Sequence, residues 1–338
     1  MEHPASARNH SAFALVLYAD VRDERIAAQG QRPIDIVVCV HNALEDVERC
    51  LQSIQGARKS HNQRLIIIDD GSDSPTASFL EEVARNASWI ERHRNDQAIG
   101  YTKAANLGLA ASRGEFVILL NSDTVVTNGW AEKMADAAFS TPGIGIVGPM
   151  SSAASHQSIP DHRGSNGQTA INELPPTLTA EDMNRYCEQW TIADVLPRVP
   201  LVHGFCLGVT RDVIDRVGFF DEASFPNGYG EENDYCFRAA DAGFSLVVAT
   251  HTYVFHAKSK SYADTERVTL MKAGSEAFRR IHGQTRVKRA VKSMQENPIL
   301  ANLRLRARAS INRPPNMRPA SPCKLKDSRE RRHLRAGW

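Results

Sequence analysis

Apolar runs alternate with segments of helical periodicity through the first part of the chain. Residues 34–40, 64–68 and 116–120 are almost wholly apolar, which is typical of strands buried on both faces of a parallel sheet. Between them, residues 44–54 and 79–87 repeat apolar side chains at three- and four-residue intervals, which predicts helices. Strands that alternate with helices in this way predict an α/β fold with right-handed crossovers.

The same reading extends to the rest of the chain. It predicts further strands at 142–149, 201–209, 245–249 and 252–256, and helices at 101–112, 180–190, 211–217 and 264–282. Residues 151–172 are rich in Ser, Gly, His, Gln and Asn. Long polar loops inside a compact domain are usually functional or mobile, so this loop is assigned to acceptor recognition or to a lid. The alternative is a disordered insertion.

Polar side chains follow two of the predicted buried strands. Asp69 and Asp70 precede a Gly-Ser turn, and the strand at 116–120 ends in Asn121, Ser122 and Asp123. Ligands of open α/β sheets bind beyond the carboxyl ends of the strands, so both groups are candidate ligand contacts. Either group alone is equally consistent with a turn or a helix cap.

Five further residues, in three places, carry candidate chemistry. Lys103 lies in the first turn of a helix after Gly100, where an anion is favoured, although a solvated surface lysine is an equal alternative. Glu231, Glu232 and Asp234 follow a Gly-Tyr-Gly turn, and one of them is a candidate general base, although helix starts favour acidic residues anyway. His256 ends a strand before a basic, hydroxylated loop, which favours a metal or phosphate contact over a core histidine.

Composition adds an asymmetry of charge. The 338 residues are 42% hydrophobic with a net charge of +2, but residues 284–338 hold 15 Lys and Arg against 3 Asp and Glu. The body is therefore acidic and the end basic. Residues 283–338 are predicted to be a largely disordered tail, in which 300–309 can form a basic amphipathic helix that contacts an anionic membrane. Basic charge without interleaved aromatic residues does not favour nucleic acid as a partner.

Three observations concern the cellular compartment. The six cysteines form no C-x-x-C pair and lie largely in core-like segments, which is typical of reduced thiols in a cytosolic protein. No apolar run is long enough to span a membrane. Residues 12–19 lack the basic leader and the cleavage site of a secretory signal. We therefore expect a cytoplasmic protein, with the basic tail as its membrane contact.

The motifs Asp-Asp-Gly-Ser, Asn-Ser-Asp, Gly-Tyr-Gly-Glu-Glu-Asn-Asp-Tyr-Cys and Tyr-Val-Phe-His occur in this order at predicted element ends. In this combination the chain resembles the family 2 glycosyltransferases of the GT-A fold, in particular the bacterial rhamnosyltransferase-like branch. The resemblance covers about residues 33–262. Together with the lack of periodicity at 1–32 and the basic charge at the end, it predicts an extension at 1–32, a GT-A glycosyltransferase domain at 33–282 and the tail at 283–338. Within the domain, 33–123 form the nucleotide-binding half and 124–282 the acceptor half.

The resemblance also implies roles for residues. Asp70, His41 and Asn42 match the nucleotide-base contacts, with Lys103, Asn121 and Ser122 as further nucleotide-sugar contacts. Asp123 and His256 match the ligands of Mn²⁺ or Mg²⁺. Asn121 stands where the family's D-x-D motif has its first Asp. Glu232 matches the catalytic base, and Gly204 and Glu231 are the expected acceptor contacts.

The resemblance therefore implies an inverting transfer of a hexose from a UDP- or dTDP-sugar to a hydroxyl of a saccharide or lipid-linked acceptor. Synthesis of surface polysaccharides or glycoconjugates would use such a reaction. Two alternatives remain open, a nucleotide-sugar hydrolase or pyrophosphorylase, and a nucleotide-sugar-binding module without catalysis.

Overall fold

The computed structural model describes residues 32–311, except residues 166, 193–194 and 259–263 and the side chains of residues 264–267. The predicted extension at 1–32 lies outside this range except for Arg32. Eight strands form the sheet: β1 (Ile34–Val40), β2 (Gln63–Asp70), β3 (Ile90–Asn95), β4 (Phe116–Asn121), β5 (Thr124–Val125), β6 (Ile144–Ser151), β7 (Cys206–Thr210) and β8 (Ser245–His256). Their order across the sheet is β3-β2-β1-β4-β7-β6-β8-β5.

The most apolar strands lie together at the centre of the sheet. β1 pairs in parallel with β2 and β4, so that Val38 lies between Ile67 and Leu120, and all three side chains are buried. Parallel strands covered on both faces need apolar residues at consecutive positions. The predicted runs therefore mark the centre of the sheet correctly, and the carboxyl ends of β1, β2 and β4 meet at one edge.

Helices cover both faces of the sheet: α1 (Leu44–Ala57), α2 (Ser74–Asn86), α3 (Tyr101–Ala111), α4 (Trp130–Phe139), α5 (Ala180–Trp190), α6 (Arg211–Val217), α7 (Glu231–Asp241), α8 (Asp264–His282), α9 (Gln284–Gln295) and α10 (Pro298–Ile311). Small residues let α3 lie close to the sheet. A Cβ at Gly108 would fall 2.2 Å from a methyl of Val37. The α/β class is as predicted from the periodicity.

Four strands differ clearly from the prediction. The two-residue β5 was not predicted. β3 was not predicted, because its sequence Ile-Glu-Arg-His-Arg-Asn suits an edge strand whose charged side chains reach water. β7 begins at Cys206 rather than at residue 201 and runs antiparallel to β4, and the preceding residues form a loop. β8 is one continuous strand where two were predicted.

The polar loop at 151–172 is held in place by its own side chains. The amide of Asn172 donates to the carbonyl oxygens of Ser152 (2.6 Å) and Asp161 (2.8 Å). Ile159 and Gln157 are buried within it. The alternative of a disordered insertion is therefore wrong for the residues of this loop that the structure describes.

The region predicted as a largely disordered tail needs a correction. Residues 284–311 form α9 and α10. Leu300, Leu303 and Ala307 are buried in the same core cluster as residues of α5. The amphipathic helix predicted at 300–309 is present within α10, but the prediction gave its apolar face to a membrane and did not predict α9. That face packs on the protein and so is not free for a membrane, whereas residues 312–338 lie outside the described chain.

Within the part of the chain that the structure covers, none of the helices combines the length and the apolar character that crossing a bilayer requires. The five cysteines in the same part are free thiols, four of them buried. Cys323 lies outside it.

Candidate active site

The ends of β1 and β2 are tied together by the residues that follow them. His41 Nδ1 donates to the carbonyl oxygen of Asp70 (2.8 Å), since a carbonyl can only accept. Asn42, which has a positive φ of 60°, donates its backbone N–H to Ser72 Oγ and accepts from the N–H of Asp73. The predicted nucleotide-base contacts His41, Asn42 and Asp70 therefore lie together at the carboxyl edge of the sheet.

The two aspartates of the Asp-Asp-Gly-Ser motif have different partners. Asp69 is fully buried and accepts from Arg92 (2.7 Å) and Arg94 (2.6 Å). Burial alone would raise the pKa of Asp69, but these hydrogen bonds and those from Ser72 outweigh it and hold the pKa below its ordinary value. Asp69 is thus a structural anion that fixes β3 against β2.

Asp70 organises the chain that leads into α3. Its carboxylate accepts from Asn95 Nδ2 (2.8 Å) and from the backbone N–H groups of Ile99 (2.9 Å) and Gly100 (3.0 Å). Gly71 permits this arrangement, because a Cβ there would fall 2.5 Å from a backbone nitrogen of the same loop. Asp70 therefore places the N-terminus of α3, in addition to the base contact implied by the resemblance.

The start of α3 in turn supports the loop that precedes α7. Thr102 Oγ1 donates to the carbonyl oxygen of Phe225 (2.5 Å) and accepts from the N–H of Gly228 (3.1 Å). A Cβ at Gly100 would fall 3.1 Å from the carbonyl oxygen of Pro226. Lys103 is exposed beside this contact. The nucleotide-binding half and the acidic helix start are therefore in direct contact.

The three acidic residues at the start of α7 lie in different surroundings. Asp234 is buried and accepts from Arg238 Nε (2.7 Å) and from His282 (2.8 Å), so its charge is already paired. Glu231 is 5% exposed, and its Oε2 is buried without a hydrogen-bond partner in the described chain. Burial and the neighbouring Glu232 raise the pKa of Glu231 well above its ordinary value.

Glu232 is partly exposed and aligned by its neighbours. Its carboxylate accepts from the backbone N–H of Gly230 (3.2 Å) and from the side chain of Asn233 (2.9 Å). Desolvation raises the pKa of Glu232 despite these hydrogen bonds. Gly204 lies against it, since a Cβ there would come within 3.1 Å of Glu232 Cγ. Gly204 and Glu232, predicted from separate motifs, thus share one site.

Asp123 and His256 also meet. Their side chains approach to 3.3 Å between Oδ1 and Nε2, and the backbone N–H of Ala257 donates to the carbonyl oxygen of Asp123. The ring of His256 stacks on Phe205 at 5.0 Å, with His203 at its edge. The side chains at 121 and 122 are partly exposed just before Asp123.

The hydrogen bonds of His256 test whether this pair suits a metal ion. Its Nδ1 lies 2.8 Å from the carbonyl oxygen of Ala153 and must therefore carry a proton. Its Nε2 faces an oxygen of Asp123. A divalent cation would be held by the Nε2 lone pair of the neutral ring and by the carboxylate, with the carbonyl of Ala153 orienting the ligand. The donor set fits Mn²⁺ or Mg²⁺, although no group of three ligand side chains occurs in the described residues and other ligands would have to complete the shell.

A continuous path of contacts joins the predicted residues. Asp70 binds Gly100, which touches the loop before Glu231. Glu232 packs on Gly204, next to His203, whose ring touches His256. The structure thus brings Asp70, Asp123, Glu232 and His256 to one edge of the sheet.

Sequence reasoning missed three residues that build this edge. Tyr101 is half-buried near Glu231 and Glu232, and desolvation raises the pKa of its hydroxyl well above its ordinary value. His203 Nδ1 accepts from the N–H of Phe205, and burial lowers the pKa of His203 to about 3. A Cβ at Gly274 would fall 1.6 Å from the carbonyl oxygen of Tyr229. The available signals in the sequence were an aromatic residue at the start of a helix, a histidine beside the predicted Gly204 and a glycine within a helix.

A cavity lies away from the candidate active site. It measures about 480 Å³ and is lined by Ile34, Lys59 and Glu181 among others. Ile34 begins β1, so this cavity lies toward the amino end of the central strand. None of the predicted site residues lines it.

Comparisons with known proteins agree with the geometry. The family model for glycosyl transferase family 2 matches residues 35–193, and that for glycosyl transferase family group 2 matches residues 116–280. The pre-mycofactocin glycosyltransferase of Mycobacterium tuberculosis is 28% identical over 229 residues, 67% of this chain and 43% of that protein. Glycosyltransferase AglE of Haloferax volcanii is 23% identical over 219 residues, 64% of each chain.

A further relative is much longer than this chain. The uncharacterized protein y4gI of Sinorhizobium fredii is 24% identical over 243 residues, which are 69% of this chain and 25% of that protein. This chain therefore spans less than half the length of two of these three relatives.

Solved structures share the fold at low sequence identity. GalNAc-T7 with UDP, GalNAc and Mn²⁺ superposes with a TM-score of 0.52 at 14% identity, over 80% of this chain and 58% of that one. The mannosyltransferase PcManGT of Pyrobaculum calidifontis, in complex with GDP-Man and Mn²⁺, gives 0.53 at 16% identity, over 88% and 83%. The rhamnosyltransferase-like branch stays a prediction. With this GT-A fold and both family models matched between residues 35 and 280, the chain belongs to the family 2 glycosyltransferases.

Proposed function

We propose that this chain is an inverting glycosyltransferase that moves a sugar from a nucleotide-diphosphate donor, a UDP- or dTDP-sugar, to a hydroxyl of a saccharide or lipid-linked acceptor. The observation that carries the proposal is the shared edge of the sheet. There a partly exposed carboxylate, Glu232, lies on the same path of contacts as the Asp123–His256 pair. A single displacement requires a base and a diphosphate-binding pair within one site.

Glu232 is the best candidate for the general base. Asp234 is neutralised by Arg238 and His282, and Glu231 is buried with a strongly raised pKa. Glu232 keeps a partly exposed carboxylate, and its raised pKa makes it a stronger base. It would take the proton of the acceptor hydroxyl while that oxygen attacks the anomeric carbon from the face opposite the nucleoside diphosphate, which leaves with the bonding electrons.

Asp123 and His256 would hold a divalent cation, which when bound offsets the negative charge that develops on the departing diphosphate. His41 and Asn42 border the space beyond β1 where the nucleotide base would lie, and the start of α3 offers backbone N–H groups and Lys103 near the same edge. Positioning of both substrates supplies a large part of the rate in reactions of this kind.

Replacement of Glu232 by Gln tests the proposal. The change keeps size and hydrogen bonding but removes the base, so we expect transfer to fall by roughly 10²–10⁴-fold while UDP affinity stays within about twofold. Glu82→Gln, at an exposed position on α2, is the control. Transfer assays against a panel of UDP- and dTDP-sugars measure the first effect and calorimetry the second.

Three results would contradict parts of the proposal. Unchanged transfer by Glu232→Gln would exclude Glu232 as the base. Release of free sugar or sugar phosphate at the same rate with and without acceptors would favour the hydrolase or pyrophosphorylase alternative, and donor binding without turnover would favour the binding module.

A further inference from the structure

A second polar pocket lies on the loop that follows β6. It has a volume of about 120 Å³ and is lined by Ser155, His156, His162, Arg163, Gly167 and Thr169; we call it the loop pocket. A water molecule occupies about 30 Å³ in the liquid, so the pocket can hold a small polyatomic ion. The two imidazole rings lie 5.4 Å apart, and the Nδ1 atom of each is buried without a hydrogen-bond partner in the described chain.

A buried cation lies directly behind the loop pocket. Arg304 of α10 is 4% exposed and donates from Nη1 to the carbonyl oxygen of His156 (2.9 Å). No carboxylate of the described residues pairs with it. The nearby Asp161 is already bound by Arg308 (2.8 Å). Burial and then Arg308 lower the pKa of Arg304.

A buried charge without a counter-ion is costly, and proteins usually pair such charges. Arg163 adds a second cation to the rim of the pocket. The set of Arg163, Arg304, Arg308 and Asp161 therefore leaves a net positive charge around two imidazole rings. An anion in the loop pocket would supply the missing counter-charge and accept hydrogen bonds from the rings.

The alternative occupant of a two-histidine site is a transition metal. Neighbouring guanidinium groups repel a cation, and the described residues supply no third ligand side chain. Burial, then His162, Arg304 and Arg163, lower the pKa of His156 to about 4. Burial is the largest cause of this shift, and the neighbouring cationic groups add to it, so these groups would also repel a metal cation.

The loop pocket shares its loop with the candidate active site. The carbonyl oxygen of Ala153 orients His256, and Gln157 Oε1 accepts from the backbone N–H of His203 (2.8 Å). His156 lies between these two supports in sequence. The pocket therefore lies on the acceptor half, in the same loop whose residues hold His256 and His203.

We propose that the loop pocket binds a phosphate-class oxyanion and, resting on the proposed function, that this anion is a phosphate group carried by the acceptor. Arg304 and Arg163 supply the charge, and the rings of His156 and His162 supply N–H donors. A phosphate bound here would anchor an acceptor whose hydroxyl is to reach Glu232. The proposed function names a saccharide or lipid-linked acceptor, and this site narrows it to a phosphorylated one.

Inorganic phosphate is the first probe. The full chain is titrated at constant ionic strength in EDTA, so that metal-assisted binding at Asp123 does not contribute, with the ring resonances of His156 and His162 followed by NMR. The double variant His162→Gln/Arg163→Gln should bind phosphate at least tenfold more weakly. Arg280→Gln, an exposed arginine on α8, and Asp123→Asn should bind like the unaltered chain. Equal affinity in the double variant would overturn the site.

Arg304 needs a separate variant because it is buried. Arg304→Lys keeps the charge, and Arg304→Gln removes it. If both fold, phosphate affinity should survive better in the first, and the reverse order would contradict the role of Arg304. If neither folds, the double variant on the pocket rim still decides the proposal.

A short-chain prenyl phosphate and the corresponding prenol distinguish the two sources of phosphate. Binding of the prenyl phosphate but not of the prenol, with the same loss in the double variant, supports an acceptor-borne phosphate. Binding of inorganic phosphate alone overturns the acceptor assignment. Glu232→Gln should bind phosphate normally. If the unaltered protein transfers sugar but does not bind phosphate, this site alone is refuted. If it binds phosphate but transfers no sugar, the proposed function alone is refuted.

Discussion

Glu231 and Glu232 are neighbours in sequence but differ in environment. Successive residues of a helix point about a quarter of a turn apart, so α7 buries one carboxylate and presents the other beside Gly204. The sequence predicts acidic residues at this helix start, but not which of them faces the site. That choice depends on the rotation of α7, which is set by contacts with loops distant in sequence.

The burial of Glu231 gives a pH-dependent prediction. Its pKa is raised in the folded chain, so the folded state holds the proton more tightly than the unfolded state. Stability is therefore lost as pH rises above about 4.5, the unfolded value, by up to about 1.4 kcal/mol per pH unit while the folded group stays protonated. Glu231→Gln should melt near the unaltered chain at pH 5 and clearly above it at pH 8.

Glu82→Gln is the control for this experiment, because the exposed Glu82 should give no such trend. Thermal melts from pH 5 to pH 8 provide the measurement. A melting difference for Glu231→Gln that is constant across this range would show that Glu231 is not held protonated by burial.

The Asp123–His256 pair gives a metal-dependent prediction. Asp123→Asn keeps the shape of the side chain but removes the negative charge, so Mn²⁺ should no longer strengthen UDP binding. We expect at least a tenfold loss of affinity with Mn²⁺, about 1.4 kcal/mol, and little change in EDTA. Calorimetry with UDP measures both, and Asp215→Asn on α6 is the control. Equal stimulation by Mn²⁺ in Asp123→Asn would remove this pair from the metal site.

At the scale of elements, the Gly-Tyr-Gly turn is held between two helices. Thr102 of α3 binds it on one side, and α8 approaches it through Gly274 on the other. Tyr229 has a positive φ of 63°, a conformation that costs free energy in a residue with a side chain. Contacts from both helices hold this backbone and with it the start of α7.

Gly274→Ala should therefore disturb the site from a distance. The new methyl would lie 1.6 Å from the carbonyl oxygen of Tyr229, so α8 or the turn must move. We expect a loss of about 1–3 kcal/mol of stability and reduced transfer. Gly56→Ala in α1 is a matched control, since nothing lies within 4 Å of its added methyl. Thermal melts and transfer assays of both variants measure these effects. Equal stability and equal transfer in Gly274→Ala and Gly56→Ala would show that α8 does not hold the Gly-Tyr-Gly turn.

Most elements were predictable where one pattern dominated. The strands β1, β2 and β4 are apolar at every central position because both of their faces are covered, and the crossover helices show their apolar stripe. β3 was not predicted, because an edge strand tolerates charged side chains and therefore lacks the apolar pattern. The site was predictable as far as strand ends, where Asp70 and Asp123 lie. The places of His203 and Gly274 in the site could not be predicted, because only contacts with residues distant in sequence bring them there.

At the scale of the whole molecule, the C-terminal helices are part of the body. α9 and α10 carry much of the basic charge, yet they place apolar side chains in the core and Arg304 behind the loop pocket. Up to residue 311, the basic segment is therefore packed on the acidic body and is not a separate tail. The basic residues on the outer face of α10 remain available to solvent, while its inner face supports the acceptor half.

Two leucines of α10 test this integration. Leu303 is 2% exposed and belongs to the main core cluster, whereas Leu305, two positions later, is 61% exposed. Removing a buried leucine side chain costs about 2–5 kcal/mol, because apolar contacts are lost and a cavity remains. An exposed position away from special features changes stability by about 0.5 kcal/mol or less. Leu303→Ala should therefore lower the urea midpoint strongly, and Leu305→Ala should leave it nearly unchanged.

The pair also separates integration from charge, since both substitutions leave every basic residue in place. If α10 were a loosely attached end of the chain, the two variants would unfold at the same urea concentration as the unaltered protein. If α10 is part of the folding unit, Leu303→Ala should in addition weaken phosphate binding in the loop pocket, because Arg304 is the next residue on the same buried face. Urea unfolding followed by circular dichroism, together with the phosphate titration, measures both consequences in one pair of proteins.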